Sequence, residues 1–240
     1  VTGRLVRADR VVDGVRVEAY AVDASPALAV DHGVVEIAPR RPALVISGAN
    51  FGANLSIEVT ISGTVGAALE GSAFGIPALA VSLEMDAAYH LTGDGDASYA
   101  ATVAATRQFA DVLIRRMLPG DVDVLSVNIP CDATLDTPWR LTRLSRLRYF
   151  LPQRPDRANG QGRPGYKLIE DIHRTAPDSD IRAVMVDRVI SVTPLSLDLT
   201  SRIDFSVLHR RLDAEALAGA AELPPVYPCS ARDEALLPSC

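Results

Sequence analysis

The sequence predicts an α/β protein whose central sheet is doubly wound. Three short, uninterrupted apolar runs, at residues 43–46, 76–83 and 123–129, are typical of strands that are buried on both faces. Helical patterns separate these runs: Ser62 can cap a first helix, and residues 98–117 place apolar side chains along one side of a second. The resulting order of strand, helix, strand, helix, strand is that of a doubly wound sheet.

The first 30 residues form a separate local pattern. Residues 5–22 alternate loosely between apolar and polar side chains and are divided by Asp13-Gly14, a strong signal for a hairpin turn. Ser25 and Pro26 then supply an N-cap and a first helical residue for a short helix that reaches about Val30. We therefore expect a hairpin and a helix ahead of the first apolar strand.

The chain changes character after about residue 140. Residues 151–177 are rich in Pro, Gly, Arg and Asp, which indicates a long arm. A strand pattern at residues 189–199 and a helical pattern at 201–220 follow, and several later prolines indicate a loosely ordered tail. The expected organisation is one α/β domain over residues 1–202, with the arm at about 150–180, and a C-terminal helix and proline-containing tail over 203–240.

The composition argues against several classes of protein. With 240 residues, of which 48% are hydrophobic and 22% are charged, the chain suits one ordinary soluble domain. Its formal net charge of −6 argues against a general binder of nucleic-acid polymers. No stretch approaches about 18 uninterrupted apolar residues, so we expect no membrane span. The three cysteines have neither disulfide nor zinc spacing, which favours a reducing, cytoplasmic location.

The loop after the first predicted strand carries residues that point to chemistry. Gly48 and Gly52 alternate with Asn50 and Asn54 directly after residues 43–46. Glycine lets a backbone approach a ligand closely, and asparagine offers a neutral oxygen ligand or a hydrogen-bond partner. Because open α/β sheets bind ligands at the carboxyl ends of their strands, we expect this loop to lie at a binding site.

A helix start follows a few residues later. Ser62, Gly63 and Thr64 open a helix whose free N–H groups and positive dipole end can hold an anion. Together, the asparagine loop and this helix start indicate a phosphate pocket. The plain alternative, which spacing alone does not exclude, is that the loop is a tight turn and Ser62 is only a cap.

The central block of the sequence resembles one protein family. The segments SGANFGANL, SGTVGAALEG and GIPALAVSLE, within residues 46–84, are similar in order and interval to the SurE pattern SGxNxGxNL, YSGTVxAAMEG and GIPAxAVSL. A weaker likeness continues through residues 125–130, 141–144 and 192–195. The resemblance thus extends over residues 4–202.

This resemblance implies both an architecture and an activity. The architecture is a Rossmann-like, doubly wound, three-layer sheet with a projecting hairpin arm and a C-terminal extension, assembled into homodimers or homotetramers. The activity is that of a 5′-nucleotidase or acid phosphatase, which hydrolyses nucleoside 5′- and 3′-monophosphates or other small phosphate monoesters with Mg²⁺ or Mn²⁺ as cofactor. The resemblance assigns Asn50 as a metal ligand. The pocket predicted above adds five residues for binding phosphate or substrate: Gly48, Asn54, Ser62, Gly63 and Thr64.

The sequence departs from the family pattern at the metal ligands. The family holds its cation partly with an Asp-Asp pair after the first strand, and no adjacent Asp-Asp pair occurs in this chain. We therefore expect that a βα unit of roughly 30 or more residues is missing ahead of Val1, through truncation or through decay of the site. Residues 43–46 should then form an exposed apolar edge. A lone neutral Asn50 should leave the chain as given inactive or very weakly active.

Two other functions remain open from the sequence. A non-catalytic α/β module or oligomer partner would bind phosphate or nucleotide at the same loop without turnover. A dinucleotide-dependent oxidoreductase has weak support, because no GxGxxG follows a first strand. The four histidines share no ligand spacing, and three arginines of the arm are expected to serve solubility more than phosphate contact. These residues are His32, His90, His173 and His209, and Arg154, Arg157 and Arg163.

Overall fold

The computed structural model describes residues 2–85, 99–115, 118–155, 157, 161–162 and 165–213. Two compact units divide the chain, Val1–Leu197 and Asp198–Cys240. The first unit contains the central sheet and the candidate site, and the second contains one described helix. Within the described ranges, no helix combines the length and the apolarity needed to cross a lipid bilayer.

Two nested antiparallel pairs form the predicted N-terminal hairpin. Asp13 and Gly14 form its turn with φ angles of 51° and 77°, and two positive values are what a type I′ turn requires. The hairpin turn predicted from this dipeptide is confirmed. The outer pair is β1 (Leu5–Arg7) with β4 (Tyr20–Val22), and the inner pair is β2 (Arg10–Val12) with β3 (Val15–Val17).

Serine caps begin the first two helices at the predicted positions. Ser25 Oγ accepts the Leu28 N–H over 3.3 Å, and Ser62 Oγ accepts the Val65 N–H over 3.1 Å. Each bond satisfies an N–H group that has no partner inside its helix. The first helix continues beyond its predicted end as a π-helical segment, His32–Ile37. The described α-helices are α1 (Pro26–Asp31), α2 (Gly63–Ala73), α3 (Tyr99–Arg115) and α4 (Phe205–Leu212).

Five strands form the central sheet in the order β5-β6-β7-β11-β8. β5, β6 and β7 run parallel, whereas β11 is antiparallel to β7 and parallel to β8. The sheet is therefore mixed, a feature that the sequence analysis did not predict, and β8 was not predicted as a strand. The strands after the hairpin are β5 (Val45–Phe51), β6 (Ala78–Leu83), β7 (Val124–Ile129), β8 (Trp139–Leu141), β9 (Phe150–Gln153), β10 (Gly165–Leu168) and β11 (Ile190–Leu195).

Helices cover both faces of this sheet. All residues of β6 and β7 are buried, which agrees with their uninterrupted apolar character. Alternate residues of β6 face opposite cores: Leu79 belongs to the cluster that contains Phe109 of α3, and Ala80 belongs to the cluster that contains Val65 of α2. Two helical layers around one sheet confirm the three-layer α/β architecture.

The strand that carries the candidate loop lies at the edge of the sheet. β5 occupies the first position in the strand order and pairs with β6 alone among the described strands. Ile46 of β5 exposes 45% of its surface. An unpaired, partly apolar edge of this kind is the one expected beside residues 43–46.

The C-terminal third follows the predicted order of elements with different bounds. β9 and β10 pair in antiparallel fashion within the segment predicted as an arm. In the second unit, Asp204 Oδ1 accepts the Ser206 N–H over 2.7 Å and caps α4. The predicted helix over residues 201–220 is thus confined to α4 among the described residues. Residues 214–220, and Ser98 and Met117 at the predicted ends of α3, lie outside those residues.

Candidate functional site

A β-bulge shapes the loop that contains Asn50. Ser47 pairs with Ala80 and Asn50 pairs with Ser82, so β5 has one more residue than β6 over this interval. Gly48 occupies the bulge with φ 114°, and a Cβ atom there would lie 2.2 Å from the Val81 carbonyl oxygen. The structure therefore gives Gly48 a packing role, because only glycine fits so close to the neighbouring strand.

Asn50 is half-buried, and its amide is held in one orientation. Its Nδ2 donates to the Gly52 carbonyl over 2.8 Å, and the Gly52 N–H donates to the Leu83 carbonyl over 2.8 Å. Within the described part of the chain, no hydrogen bond is formed by Asn50 Oδ1. The predicted ligand therefore has its oxygen free and its nitrogen bound, which is the arrangement that a cation or a hydrogen-bond donor would use.

Asn54 connects the loop to the next two strands of the sheet. Its backbone N–H donates to Asn128 Oδ1 over 2.8 Å, and its Nδ2 donates to Ser82 Oγ over 2.7 Å. Ser82 and Asn128 are buried at the carboxyl ends of β6 and β7. These bonds fix Asn54 and leave one of its two amide hydrogens for a ligand.

The start of α2 forms the neighbouring part of the site. Ser62 Oγ accepts one N–H, so its hydroxyl hydrogen stays available as a donor. The N–H groups of Gly63 and Thr64 belong to the first turn, whose donors have no intrahelical partners. A Cβ atom at Gly63 would lie 3.0 Å from Pro26 Cγ, so this glycine also permits close packing of α1 on α2.

A cavity of about 420 Å³ joins these two features. Asn50, Asn54 and Ser62 all line it, whereas Gly48, Gly63 and Thr64 do not. The structure thus brings together three of the six predicted site residues directly. The residues that line the cavity are Asn50, Phe51, Gly52, Ala53, Asn54, Glu58, Ile61, Ser62, Arg148, Phe150, Pro152, Gly165 and Tyr166.

The opposite wall of the cavity was not predicted from the sequence. Arg148, Phe150 and Tyr166 come from the base of the arm and from its two strands. Arg148 is exposed and forms no ion pair within the described ranges, so it supplies a free positive charge. From the sequence, only arginines further along the arm were candidates for phosphate contact, because no local pattern reveals which arm residues fold back towards Asn50.

Glu58 connects the arm side of the cavity to the side that contains Asn50 and Ser62. Its carboxylate accepts the Ser56 hydroxyl over 2.5 Å, the Tyr149 N–H over 3.2 Å and the Phe150 N–H over 3.3 Å. Charged acceptors form the stronger hydrogen bonds in proteins. Glu58 therefore acts as an anchor, and its oxygens are already occupied by protein donors.

Asp180 makes a second, fully buried link between the walls. Its Oδ2 accepts the Ser56 N–H over 2.6 Å, and its Oδ1 accepts the N–H groups of Ser145 and Ile181, each over 2.8 Å. Burial raises the pKa of this carboxyl, and the backbone donors oppose that shift. The segment before Glu58 and the segment before Arg148 are thus fixed by one side chain.

A third polar cluster lies at the ends of β6 and β7. Arg188 forms ion pairs with Glu84 over 2.8 Å and with Asp132 over 2.5 Å, and it donates to Cys131 Sγ over 3.3 Å. Burial raises the pKa of the Cys131 thiol. A protonated thiol is a poor nucleophile, so this cluster stabilises the strand ends and gives no sign of thiol chemistry.

The described residues do not complete a site for a hard cation. Mg²⁺ and Mn²⁺ prefer several oxygen ligands, including carboxylates. Asn50 offers one neutral oxygen, whereas Glu58 is bound to protein donors. No group of three or more His, Cys, Asp or Glu with metal-binding geometry occurs within the described ranges. Of the histidines, His32 bonds to Glu36 over 2.9 Å, His173 and His209 do not line the cavity, and His90 lies outside the described residues.

Comparisons with known proteins agree with this architecture. Residues 2–150 match the family model for Survival protein SurE. A 5′-nucleotidase SurE of Thermococcus gammatolerans is 40% identical over 220 residues, which cover 89% of this chain and 80% of the relative. A 5′-nucleotidase SurE of Methanosarcina mazei is 38% identical over 202 residues, covering 82% and 75%.

The structural comparison leads to the same family. The crystal structure of the SurE protein from Aquifex aeolicus aligns with a TM-score of 0.62 and 28% identity, over 87% of this chain and 79% of that one. Agreement in sequence over most of both chains, together with agreement in fold, is what shared ancestry produces. The chain therefore belongs to the SurE family.

Proposed function

We propose that this chain is a phosphomonoesterase that hydrolyses nucleoside 5′-monophosphates, and 3′-monophosphates, to nucleoside and phosphate. The observation that carries the proposal is the single cavity lined by Asn50, Asn54 and Ser62 at the carboxyl edge of the sheet. Ligands of α/β proteins bind at this edge. The names of the relatives, 5′-nucleotidase SurE, give the same reaction class.

The phosphate group would lie between the start of α2 and Arg148. Ser62 lines the cavity, so its hydroxyl would donate to a phosphate oxygen. The free N–H groups of Gly63 and Thr64 follow directly in the chain, and the positive end of α2 to which they belong would favour the anion. Arg148 adds a positive charge from the other wall. Donors that are fixed before the reaction stabilise the negative charge on a phosphoryl group as its ester bond breaks. Asn54, held by Ser82 and Asn128, would orient the substrate beside these donors.

A divalent cation, Mg²⁺ or Mn²⁺, is the proposed cofactor, with Asn50 Oδ1 as one ligand. Such a cation supplies Lewis-acid activation of a phosphate oxygen and of water when it is bound. Because the described residues offer no free carboxylate beside Asn50, we propose that the chain by itself is only very weakly active. Asn50 would hold such a cation through one neutral oxygen, and further oxygen ligands would be needed to complete the site.

Phosphate release from adenosine 5′-monophosphate tests this proposal. We expect a slow release in Mn²⁺ or Mg²⁺ that EDTA abolishes and that Asn50→Ala lowers at least about tenfold, as loss of one transition-state contact does. Gln108→Ala, an exposed change on α3, serves as the matched control. Release that persists in EDTA, or that Asn50→Ala leaves unchanged, would remove the metal assignment.

A non-catalytic nucleotide-binding module is the second candidate. The lack of a carboxylate cluster among the described residues favours it, since a pocket can hold an anion without a cation to activate water. Under this alternative, adenosine 5′-monophosphate binds and no phosphate appears above the buffer blank at any cation concentration. Binding without turnover would therefore select the module over the enzyme.

The proposal also covers the oligomeric state of the protein and its cellular compartment. A homodimer or homotetramer is proposed from the family resemblance, and a reducing cytoplasm is proposed from the sparse cysteines, of which Cys131 is free. Light scattering during gel filtration measures the mass directly. A mass of one chain, 25.6 kDa, across the micromolar range would contradict the assembly.

A further inference from the structure

The arm contributes an aromatic wall to the cavity that the phosphate proposal does not use. Three rings from the base of the arm follow one another in edge-to-face contacts. The centroids of Tyr149 and Phe150 lie 4.8 Å apart at an interplanar angle of 75°, and those of Phe150 and Tyr166 lie 4.9 Å apart at 82°. Such pairs are more favourable than burial alone predicts, so the rings hold each other in place.

Exposure increases along this series of rings. Tyr149 is buried, with 6% of its surface exposed, Phe150 is half-buried, and Tyr166 exposes 42%. Phe150 and Tyr166 line the cavity. The series thus runs from the protein core to the cavity and ends in an aromatic ring that is accessible to a ligand.

Backbone anchors keep this wall at a fixed position. Glu58 accepts the N–H groups of Tyr149 and Phe150, and Glu58 itself lines the cavity. Tyr166 is paired in register with Pro152 across the two arm strands. A binding surface that is ordered before the ligand arrives loses less entropy on binding, so this wall is suited to recognition.

The cavity is divided chemically into two sides. Asn50, Asn54 and Ser62 make one side polar, and Arg148 adds a cation from the arm. Phe150, Pro152 and Tyr166, all from the arm, make the other side apolar. Adjacent apolar side chains beside a polar pocket form a surface that a ligand can cover. A ligand with a charged phosphate and a flat aromatic group matches both sides.

We infer that Tyr166, supported by Phe150, is the specificity-determining residue that receives the nucleobase of the substrate. The inference rests on the proposed function, which locates the phosphate of the substrate. It adds that the nucleobase is the part of the substrate that the site recognises. Stacking on an aromatic ring is tolerant of base identity, because every base has a π-face. The site should therefore select nucleotides over phosphate esters without an aromatic group, with little preference among bases.

Ligand-detected NMR titrations in EDTA test the inference without turnover. The probes are adenosine 5′-monophosphate, ribose 5-phosphate, inorganic phosphate and adenosine. Tyr166→Ala is expected to raise the Kd of adenosine 5′-monophosphate by roughly 5- to 100-fold, as the loss of one base-stacking partner does. It is expected to leave the Kd of ribose 5-phosphate within about twofold, since the phosphate contacts remain.

Two control variants separate stacking from arm structure. Tyr166→Phe keeps the ring and should bind adenosine 5′-monophosphate like the wild type. Lys167→Ala changes the next residue on the same strand, whose side chain points to the other face of the hairpin and which does not line the cavity. It should leave all four Kd values unchanged.

The outcomes distinguish this inference from the proposal on which it rests. An equal loss for both phosphate esters in Tyr166→Ala, or no loss for either, overturns the assignment of Tyr166. Adenosine binding that depends on Tyr166, with no binding of ribose 5-phosphate or inorganic phosphate, retains the nucleobase wall and removes the phosphate site. Failure of all four probes to bind overturns both.

Discussion

The Asn54 backbone N–H donates to Asn128 Oδ1 over 2.8 Å and thereby connects the site loop to the end of β7, across the intervening strand β6. Asn128 is 1% exposed. Its buried Nδ2 has no hydrogen-bond partner among the residues that the structure describes. The buried Asn128 side chain thus fixes the loop that contains Asn54, although its own Nδ2–H groups stay unsatisfied.

Replacing Asn128 should loosen the loop and destabilise the fold. Asn128→Ala leaves the Asn54 N–H without its partner, so we expect the free energy of unfolding to fall by about 1–3 kcal/mol. Ser126→Ala, a buried change two residues earlier on the same strand, should change it by less than about 1 kcal/mol. Urea unfolding measures both. Equal effects of the two variants would show that the bond to Asn54 has no special role.

Gly48 should tolerate no side chain, whereas another glycine of the site region should. A Cβ at Gly48 would lie 2.2 Å from a backbone oxygen. Apart from the backbone of α2 itself, no described atom lies within 4 Å of a Cβ built at Gly66. We expect Gly48→Ala to lower the free energy of unfolding by about 2–4 kcal/mol. Gly66→Ala, in the interior of α2, should raise it by about 0.5–1 kcal/mol. Thermal melts of the two variants test whether the substitutions change stability in opposite directions. A Gly48→Ala protein as stable as the wild type would contradict the bulge geometry.

The sequence predicted the elements whose signals are local. The Asp13-Gly14 turn and the Ser25 and Ser62 caps depend on residues within four positions of one another, and each is found where predicted. The apolar runs 76–83 and 123–129 correspond to β6 and β7, because strands buried on both faces admit few polar residues. Interactions between residues close in the sequence were therefore sufficient to predict these elements.

Features that depend on distant partners were not predictable in this way. β8 is three residues long and is defined by its parallel pairing with β11, which no local pattern indicates. The predicted strand at 43–46 extends as β5 to Phe51, since pairing with β6 resumes after the bulge. Arg148 and Tyr166 were missed as site residues because only the folded arm brings them to the cavity. Glu58 was missed because its role depends on bonds to the distant Tyr149 and Phe150.

Asp180 should make the stability of the fold depend on pH. Because burial raises its pKa, the folded chain binds this proton more strongly than the unfolded chain does. The free energy of unfolding should therefore fall as the pH rises from the ordinary value of 3.8 through the raised value. Asp180→Asn removes this dependence and, by facing an amide nitrogen towards an N–H, destabilises the fold by about 2–4 kcal/mol.

A surface carboxyl nearby provides the control for Asp180. Asp178→Asn alters an exposed side chain with one ion pair, to Arg143 over 3.3 Å. Its effect should stay below about 0.5 kcal/mol, and the pH dependence should remain. Urea unfolding at several pH values between 4 and 7 measures both variants. An Asp180→Asn protein with wild-type stability would show that this carboxylate does not link the two walls.

The N-terminal hairpin should show the opposite dependence on pH. Hydrogen bonds from Arg7 and then Arg16 lower the pKa of Asp9 to about 2. These bonds therefore contribute stability at pH values above the ordinary pKa of 3.8, and that stability is lost as the pH falls through about 2. Carboxyl ¹³C NMR should show Asp9 titrating near 2. Arg7→Gln should move that titration upward, whereas Arg4→Gln should not. Titration near 3.8 in the unaltered chain would contradict the ion pairs of Asp9 with Arg7 and Arg16.

We propose that the Asn50 loop and the start of α2 form one phosphate pocket. Amide chemical-shift mapping by ¹H–¹⁵N NMR, with adenosine 5′-monophosphate added to the ¹⁵N-labelled chain, tests it most directly. We expect Asn50, Asn54, Gly63 and Thr64 to shift together along one saturation curve, while Gly120, in the loop before the amino end of β7, does not move. Shifts confined to one of the two segments, or different saturation curves for the two, would contradict a shared pocket.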